Sequence, residues 1–268
     1  MQLHPFALER YFARHEFTSR YVLCASDCDG PSLVELLASA DDEVMGWWTN
    51  LTLSCTESQG LPALRQEVAA LHASRPSSLS EVGPDDVLVV APEEGILLVM
   101  LAVISKGDHV VCTCPAYQSL YEVARGLGAR VDFWRPREAA DWHYAVEDLA
   151  SLVRPGTTRL VAVNFPHNPT GFAPSRREFQ EMIAVVREAG AQLFSDEMYR
   201  GLDLPGNEPL PSAVEVWGEA MCLGGLSKTY GLAGLRLGWL VTKDRQLLAR
   251  CASLKDYTTI CAPAPSEV

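Results

Sequence analysis

The sequence has 268 residues, 48% of them hydrophobic and 21% charged, enough apolar material for a large core, which excludes a disordered tail and a disulfide-stapled miniprotein. Lys and Arg number 22 against 34 Asp and Glu, and the formal charge of -12 argues against a nucleic-acid backbone or an anionic membrane as partner. The longest apolar run, residues 96–104, falls short of the roughly 20 residues of a membrane span, and His4, Glu9 and Arg10 stand where a signal peptide needs apolar residues, so a cytoplasmic, soluble protein is expected.

In chain order, residues 1 to about 85 show an amphipathic opening (Phe6, Leu8, Tyr11, Phe12), a helix expected over 32–40 and a second over 61–72. From Val87 onward the rhythm changes. Short runs rich in β-branched residues predict strands over 87–91, 109–114, 129–134, 159–165, 191–196, 220–225 and 235–241. Between them, residues 93–104, 117–127 and 175–189 have helical spacing, the last introduced by Pro174 and Ser175 and ended by Gly190. This alternation predicts an α/β fold, a mostly parallel sheet with helices on both faces. Ligands of such sheets bind at the carboxyl ends of the strands. The last residues, APAPSEV, open what reads as a further helix.

Eight cysteines raise the question of disulfides or metal, but no pair has the C-x-x-C spacing of a zinc knuckle or redox dithiol. Free, mostly buried thiols are expected. The six histidines show no H-E-x-x-H or other ligand pattern, and no metal is expected.

The strongest local signal is GLSKTYGLAGLRLG, residues 225–238, between two strands. Lys228, flanked by Ser227, is suited to a Schiff base, and Arg236 to clamping a phosphate with its rigid fork. FSDEMYRG places Asp196 at a strand end with Tyr199 three residues on, and NFPHNPTG places Asn168 at another. CPAY supplies Tyr117, whose face suits stacking on a heteroaromatic ring. Each has an ordinary alternative: a turn for NPTG, a cap for Asp196, core packing for Tyr117. Their shared position at strand ends of one sheet favours one site, and a Lys Schiff base with an Asp partner is the pairing that pyridoxal phosphate requires.

The order and spacing of NPTG, SDEMY and SKTYGLAGLRLG resemble the class I/II aminotransferases, fold-type-I pyridoxal-phosphate-dependent enzymes, over about residues 55 to 268. The resemblance implies that Lys228 is the covalent anchor and proton-shuttling base, and that Asp196 holds the pyridinium nitrogen. It further implies Asn168 and Tyr199 on the 3-hydroxyl, Tyr117 on the ring face, and Arg236 on the phosphate. TESQGLPALRQEVAAL resembles the family's helix near the dimer interface. The implied reaction is amino-group transfer between an amino acid and a 2-oxo acid by a homodimer, with a lyase or cyclase on the same scaffold, or a non-catalytic cofactor-binding remnant, as alternatives.

The pattern is not uniform. Gly225 stands where family members often have a phosphate-binding Ser, and Cys55 where many carry a Tyr that reaches the partner subunit. The helix after the first strand opens APEEGI, so the phosphate cradle is assigned to the backbone amides of Glu93 and Glu94. The domain reading is an N-terminal segment with part of a small domain over 1–50 and a large pyridoxal-phosphate-binding domain over 51–268. A C-terminal domain of about 100 residues, within the ordinary domain range, is expected to be absent and the small domain incomplete.

Overall fold

The computed structural model describes residues 1–73, 81–204, 206 and 208–268. Seven strands form one sheet among these residues: β1 (Val87–Val90), β2 (His109–Thr113), β3 (Arg130–Trp134), β4 (Thr158–Asn164), β5 (Gln192–Asp196), β6 (Met221–Gly225) and β7 (Gly238–Val241). Their spatial order is β1-β7-β6-β5-β4-β2-β3. The pairs β2/β3, β2/β4, β4/β5 and β5/β6 are parallel, and β7 runs antiparallel to both β6 and β1. All seven predicted strands are present. The direction of β7 goes with its connection, since residues 226–237 hold only a short 3-10 turn, Ala233–Leu235, and no crossover helix that would bring a strand back parallel.

The helices are α1 (Ala7–His15), α2 (Leu33–Leu37), α3 (Asp42–Thr49), α4 (Pro62–Ala73), α5 (Pro92–Val103), α6 (Ser119–Gly126), α7 (Val146–Leu152), α8 (Arg176–Glu188), α9 (Ala213–Val216), α10 (Arg245–Lys255) and α11 (Ala264–Glu267). The helix expected over 32–40 is shorter, with Ser32 as its N-cap in a capping box with Glu35. Helix α8 begins where expected: Ser175 Oγ accepts from the Glu178 N–H, the Glu178 carboxylate accepts from the Ser175 N–H, and Gly190 follows the last turn at φ +70°.

Alternate residues of each strand serve two cores. On one face Val111, Val161, Val163 and Leu193 pack with Val68 of α4, Leu149 of α7, Phe179 and Met182 of α8 and Val214 of α9. On the other, Val110, Leu160, Ala162 and Phe194 pack with Ile96 and Val99 of α5, Leu120 of α6 and Leu247 of α10. The sheet is thus buried on both faces, as its near-continuous apolar strands require. At about 1.5–3 kcal/mol for each large apolar side chain fully buried, these layers dominate the stabilisation. Among the described residues no helix is long and apolar enough to cross a membrane. All eight cysteines are free; Cys112, Cys222 and Cys251 are buried, whereas Cys24, Cys28 and Cys55, before the first strand, are exposed. Fewer thiols are buried than expected, because those three lie outside both cores.

Candidate active site

Strands β4 and β5 finish side by side, with Asn164 paired to Asp196 as the last rung of their ladder. That rung opens into a cavity of about 320 Å³. Of the nine residues expected at the site, eight line it: Glu93, Tyr117, Asn168, Asp196, Tyr199, Ser227, Lys228 and Arg236. Glu94 does not. Its carboxylate accepts from the Ala91 N–H as part of the cap of α5 and from the side chains of Thr258 and Thr259. Its backbone N–H, like that of Glu93, belongs to the first turn and has no partner within the helix.

Asp196 is 6% exposed. Burial pushes its pKa up to about 7, with the carboxylates of Glu197 and Glu93 acting the same way; the Met198 N–H, 3.1 Å from Oδ1, and the Lys228 charge oppose the rise. Asn164 ties this strand end to the next loop: its Nδ2 donates to the Asp196 carbonyl at 3.0 Å and its Oδ1 accepts from the Asn168 N–H at 2.9 Å. Burial likewise raises the Tyr199 phenol, and hydrogen bonds with Ser26 and Asn168 offset part of that effect.

The loop between β6 and β7 carries both cations of the site. Lys228 Nζ donates to Ser26 Oγ at 3.0 Å and to Asp27 Oδ1 at 3.1 Å. Arg236 adopts φ +54° and donates from Nη1 to the Ala233 carbonyl at 2.8 Å. Ser227 is buried, and its hydroxyl has no hydrogen-bond partner. A side chain at Gly225 would bring Cβ within 3.0 Å of the Leu237 carbonyl oxygen and 3.1 Å of Met198, so a Ser there would fit only if these neighbours gave way by a few tenths of an ångström.

Tyr117 donates its hydroxyl to Glu9 Oε1, also on the cavity wall, at 2.7 Å and packs its ring 4.9 Å from Phe6, both residues at the start of the chain. Glu93 accepts from Ser119 Oγ at 3.2 Å, and burial raises its pKa, which favours the neutral acid at the cavity wall.

Sequence reasoning missed Asn164, Ser26, Asp27 and Glu9. Asn164 lies inside NFPHNPTG, and its place as the last strand residue was a usable signal; Glu9 stands on the polar side of the amphipathic opening and Ser26 and Asp27 in a segment without periodicity, all three brought to the site by tertiary packing.

The residues fit pyridoxal phosphate. A buried hydroxyl without a partner, the Lys228 and Arg236 side chains and the first turn of α5 at Glu93 come together in one anion-binding pocket. Asp196, a carboxyl whose burial outweighs the opposing Lys228 charge, is matched to a protonated ring nitrogen.

The family model described as aminotransferase class I and II matches residues 23–267. Capreomycidine synthase of Streptomyces vinaceus is 33% identical over 180 residues, covering 66% of this chain and 46% of that protein. Arginine–pyruvate transaminase AruH of Pseudomonas aeruginosa is 27% identical over 237 residues, covering 88% of this chain and 58% of its own. The chain thus spans about half the length of the curated relatives it matches. Among solved structures, a PLP-dependent aminotransferase from Streptococcus suis superposes with a TM-score of 0.89 at 31% identity, covering 100% of this chain and 69% of that one. The PLP-dependent cyclase OrfR gives a TM-score of 0.84 at 29% identity, with 99% and 67% covered.

Proposed function

The chain belongs to the class I and II aminotransferases, and from that premise we propose that it binds pyridoxal 5'-phosphate and transfers an amino group between an amino acid and a 2-oxo acid. The observation that carries this reading is one cavity lined by the Lys228 amine, the buried Asp196 carboxyl and the unpartnered Ser227 hydroxyl.

When bound, the cofactor supplies a carbonyl that an amine attacks and a pyridine ring that accepts the electron pair released at the substrate's Cα. Lys228 is the amine that anchors it and, once displaced by substrate, the base whose Nζ takes the Cα proton and returns it. Asp196 holds the ring nitrogen protonated; a buried aspartate that binds a proton up to about pH 7 is readily ionised by a cation brought beside it. Asn168 and Tyr199 hydrogen-bond the 3-oxygen, and Tyr117 packs on the ring. Arg236, Ser227 and the amides of Glu93 and Glu94 hold the phosphate. The same reading assigns residues 1–50 to an N-terminal segment with part of a small domain and 51–268 to the cofactor domain. It makes the protein a cytoplasmic homodimer, with neither nucleic acid nor membrane as partner.

The test is to incubate the protein with pyridoxal phosphate, an amino acid panel and a 2-oxo acid, and to follow new amino acid by mass spectrometry. A second reading, cyclisation of an amino acid on the same scaffold, is favoured by the two relatives whose names describe a capreomycidine synthase and a cyclase. It predicts a cyclised product and no new amino acid from the oxo acid. Cofactor absorbance without any product would identify a non-catalytic remnant.

A further inference from the structure

Two of the cavity residues, Tyr117 and Asn168, stand on different loops, one after β2 and one after β4. Nothing in the motifs that contain them says how the loops keep register. His167 and Tyr144 lie between them, 3% and 1% exposed. His167 Nδ1 is 2.8 Å from Thr170 Oγ1; its Nε2 is 2.8 Å from the Pro115 carbonyl oxygen and 2.9 Å from the Tyr144 hydroxyl. That hydroxyl donates to the Cys114 carbonyl at 3.1 Å.

The proton positions follow from the partners. A carbonyl only accepts, so the hydrogen facing Pro115 must be on Nε2, and a neutral imidazole then has a bare Nδ1. Nε2–H is shared between Pro115 and Tyr144, Tyr144 passes its own hydrogen to Cys114, and the Thr170 hydroxyl donates to Nδ1 while accepting from the Phe172 N–H at 3.3 Å. Every donor in the chain has an acceptor, and a second proton, on Nδ1, would require the Thr170 hydroxyl to turn its hydrogen away and accept there as well as from Phe172. Burial lowers the His167 pKa to about 4, the Pro115 hydrogen bond opposing it, so the neutral ring is the form present near neutral pH.

We propose that His167 and Tyr144 are positioning residues, a buried hydrogen-bonded staple between residues 114–115 and 167–172 that sets where Tyr117 and Asn168 meet the cofactor. The inference rests on the pyridoxal-phosphate reading of the cavity. Neither residue lines that cavity; both act through the loops they join.

The test uses the full chain with Tyr144→Phe, which deletes one hydroxyl, and His167→Asn, which deletes the bridge. In the parent, 15N NMR should show a neutral Nε2–H imidazole at His167 from pH 6 to 8. Each variant should melt close to the parent and still be labelled at Lys228 by borohydride. The bound cofactor's visible absorbance should change its pH midpoint, since the Asn168 contact to the 3-oxygen is displaced. Affinity for pyridoxal phosphate should fall roughly tenfold, the scale of one hydrogen bond. A parent-like midpoint and affinity in both variants, or a charged His167 ring in the parent at pH 7, overturns the proposal. If His167→Asn does not fold, Tyr144→Phe and Thr170→Val decide it on the same readouts. Absence of Lys228 labelling in the parent would instead overturn the cofactor reading itself.

Discussion

Lys228 and Asp27, 201 residues apart in sequence, meet at 3.1 Å over the cavity, and Ser26 takes a second hydrogen of the same ammonium. The amine that is to anchor a cofactor is therefore already occupied by the N-terminal segment. Capture requires those contacts to be given up, so Asp27→Ala should speed covalent uptake of pyridoxal phosphate several-fold. Stopped-flow absorbance measures this directly, and a slower uptake would mean that Asp27 guides the cofactor instead.

Borohydride reduction and peptide mapping should place the cofactor on Lys228. The chain has only four lysines. Lys255 is buried and donates to the Ser58 carbonyl at 2.5 Å, while Lys106 and Lys243 are exposed and lie outside the cavity. Label on any of these three would contradict the site.

Ser227→Ala should separate stability from binding. A buried hydroxyl without a partner costs roughly 1–3 kcal/mol, so its removal should leave the cofactor-free protein as stable as the parent or more so. Affinity for pyridoxal phosphate should fall about tenfold, one hydrogen bond's worth. Equilibrium dialysis and denaturant unfolding on the same preparation test the pair; a destabilised variant with unchanged affinity would show that the hydroxyl serves the fold.

Asp196 makes stability depend on pH in a stated direction. Its folded pKa of about 7 lies above the ordinary 3.8, so between those values the folded state holds more protons than the unfolded chain. Its contribution to stability therefore falls as pH rises from about 4 to about 7 and levels off above, a change on the order of 4 kcal/mol. In the cofactor-free protein Asp196→Asn should be clearly more stable than the parent at about pH 8 and little different at about pH 4. Denaturant melts at both values decide it; equal differences at the two would mean that the carboxyl is ionised throughout.

With cofactor bound, Asp196→Ala should retain the Lys228 label yet slow product formation by several factors of ten, each factor about 1.4 kcal/mol of barrier. Single-turnover kinetics provide the measurement. An unchanged rate would assign the carboxyl another role.

The strands were legible because a sheet buried on both faces must be built from runs such as VLVV and LVAVN, and few other structures use them. The site was legible where chemistry-bearing residues follow such runs directly, as Asp196 and Asn168 do. Asn164 was passed over although it ends its strand, since an Asn beside NPTG reads as turn chemistry. Ser26, Asp27 and Glu9 gave no local signal: polar residues in short helices and loops look alike until packing brings them to Lys228 and Tyr117. Helices α7 and α10 escaped for a related reason. Helix α7 buries Leu149 alone of its residues, and α10 gives one of its four buried positions to Lys255, so the apolar stripe is short in one and broken by a charge in the other.

Because β7 doubles back beside β6, Lys228 and Arg236 ride on a single closed loop whose two feet are bolted together at the Gly225 and Gly238 rung. The spacing between the amine and the guanidinium is consequently a gauge cut by the number of residues in that loop. Elsewhere in the sheet a helical crossover absorbs an added or deleted residue as a small change of pitch or a longer turn, far from the strand ends. Here there is no such slack. Length variation tolerated at the crossovers should be absent from residues 226–237, where one extra residue would leave every strand in place and still set the two cations at the wrong separation for one molecule to touch both.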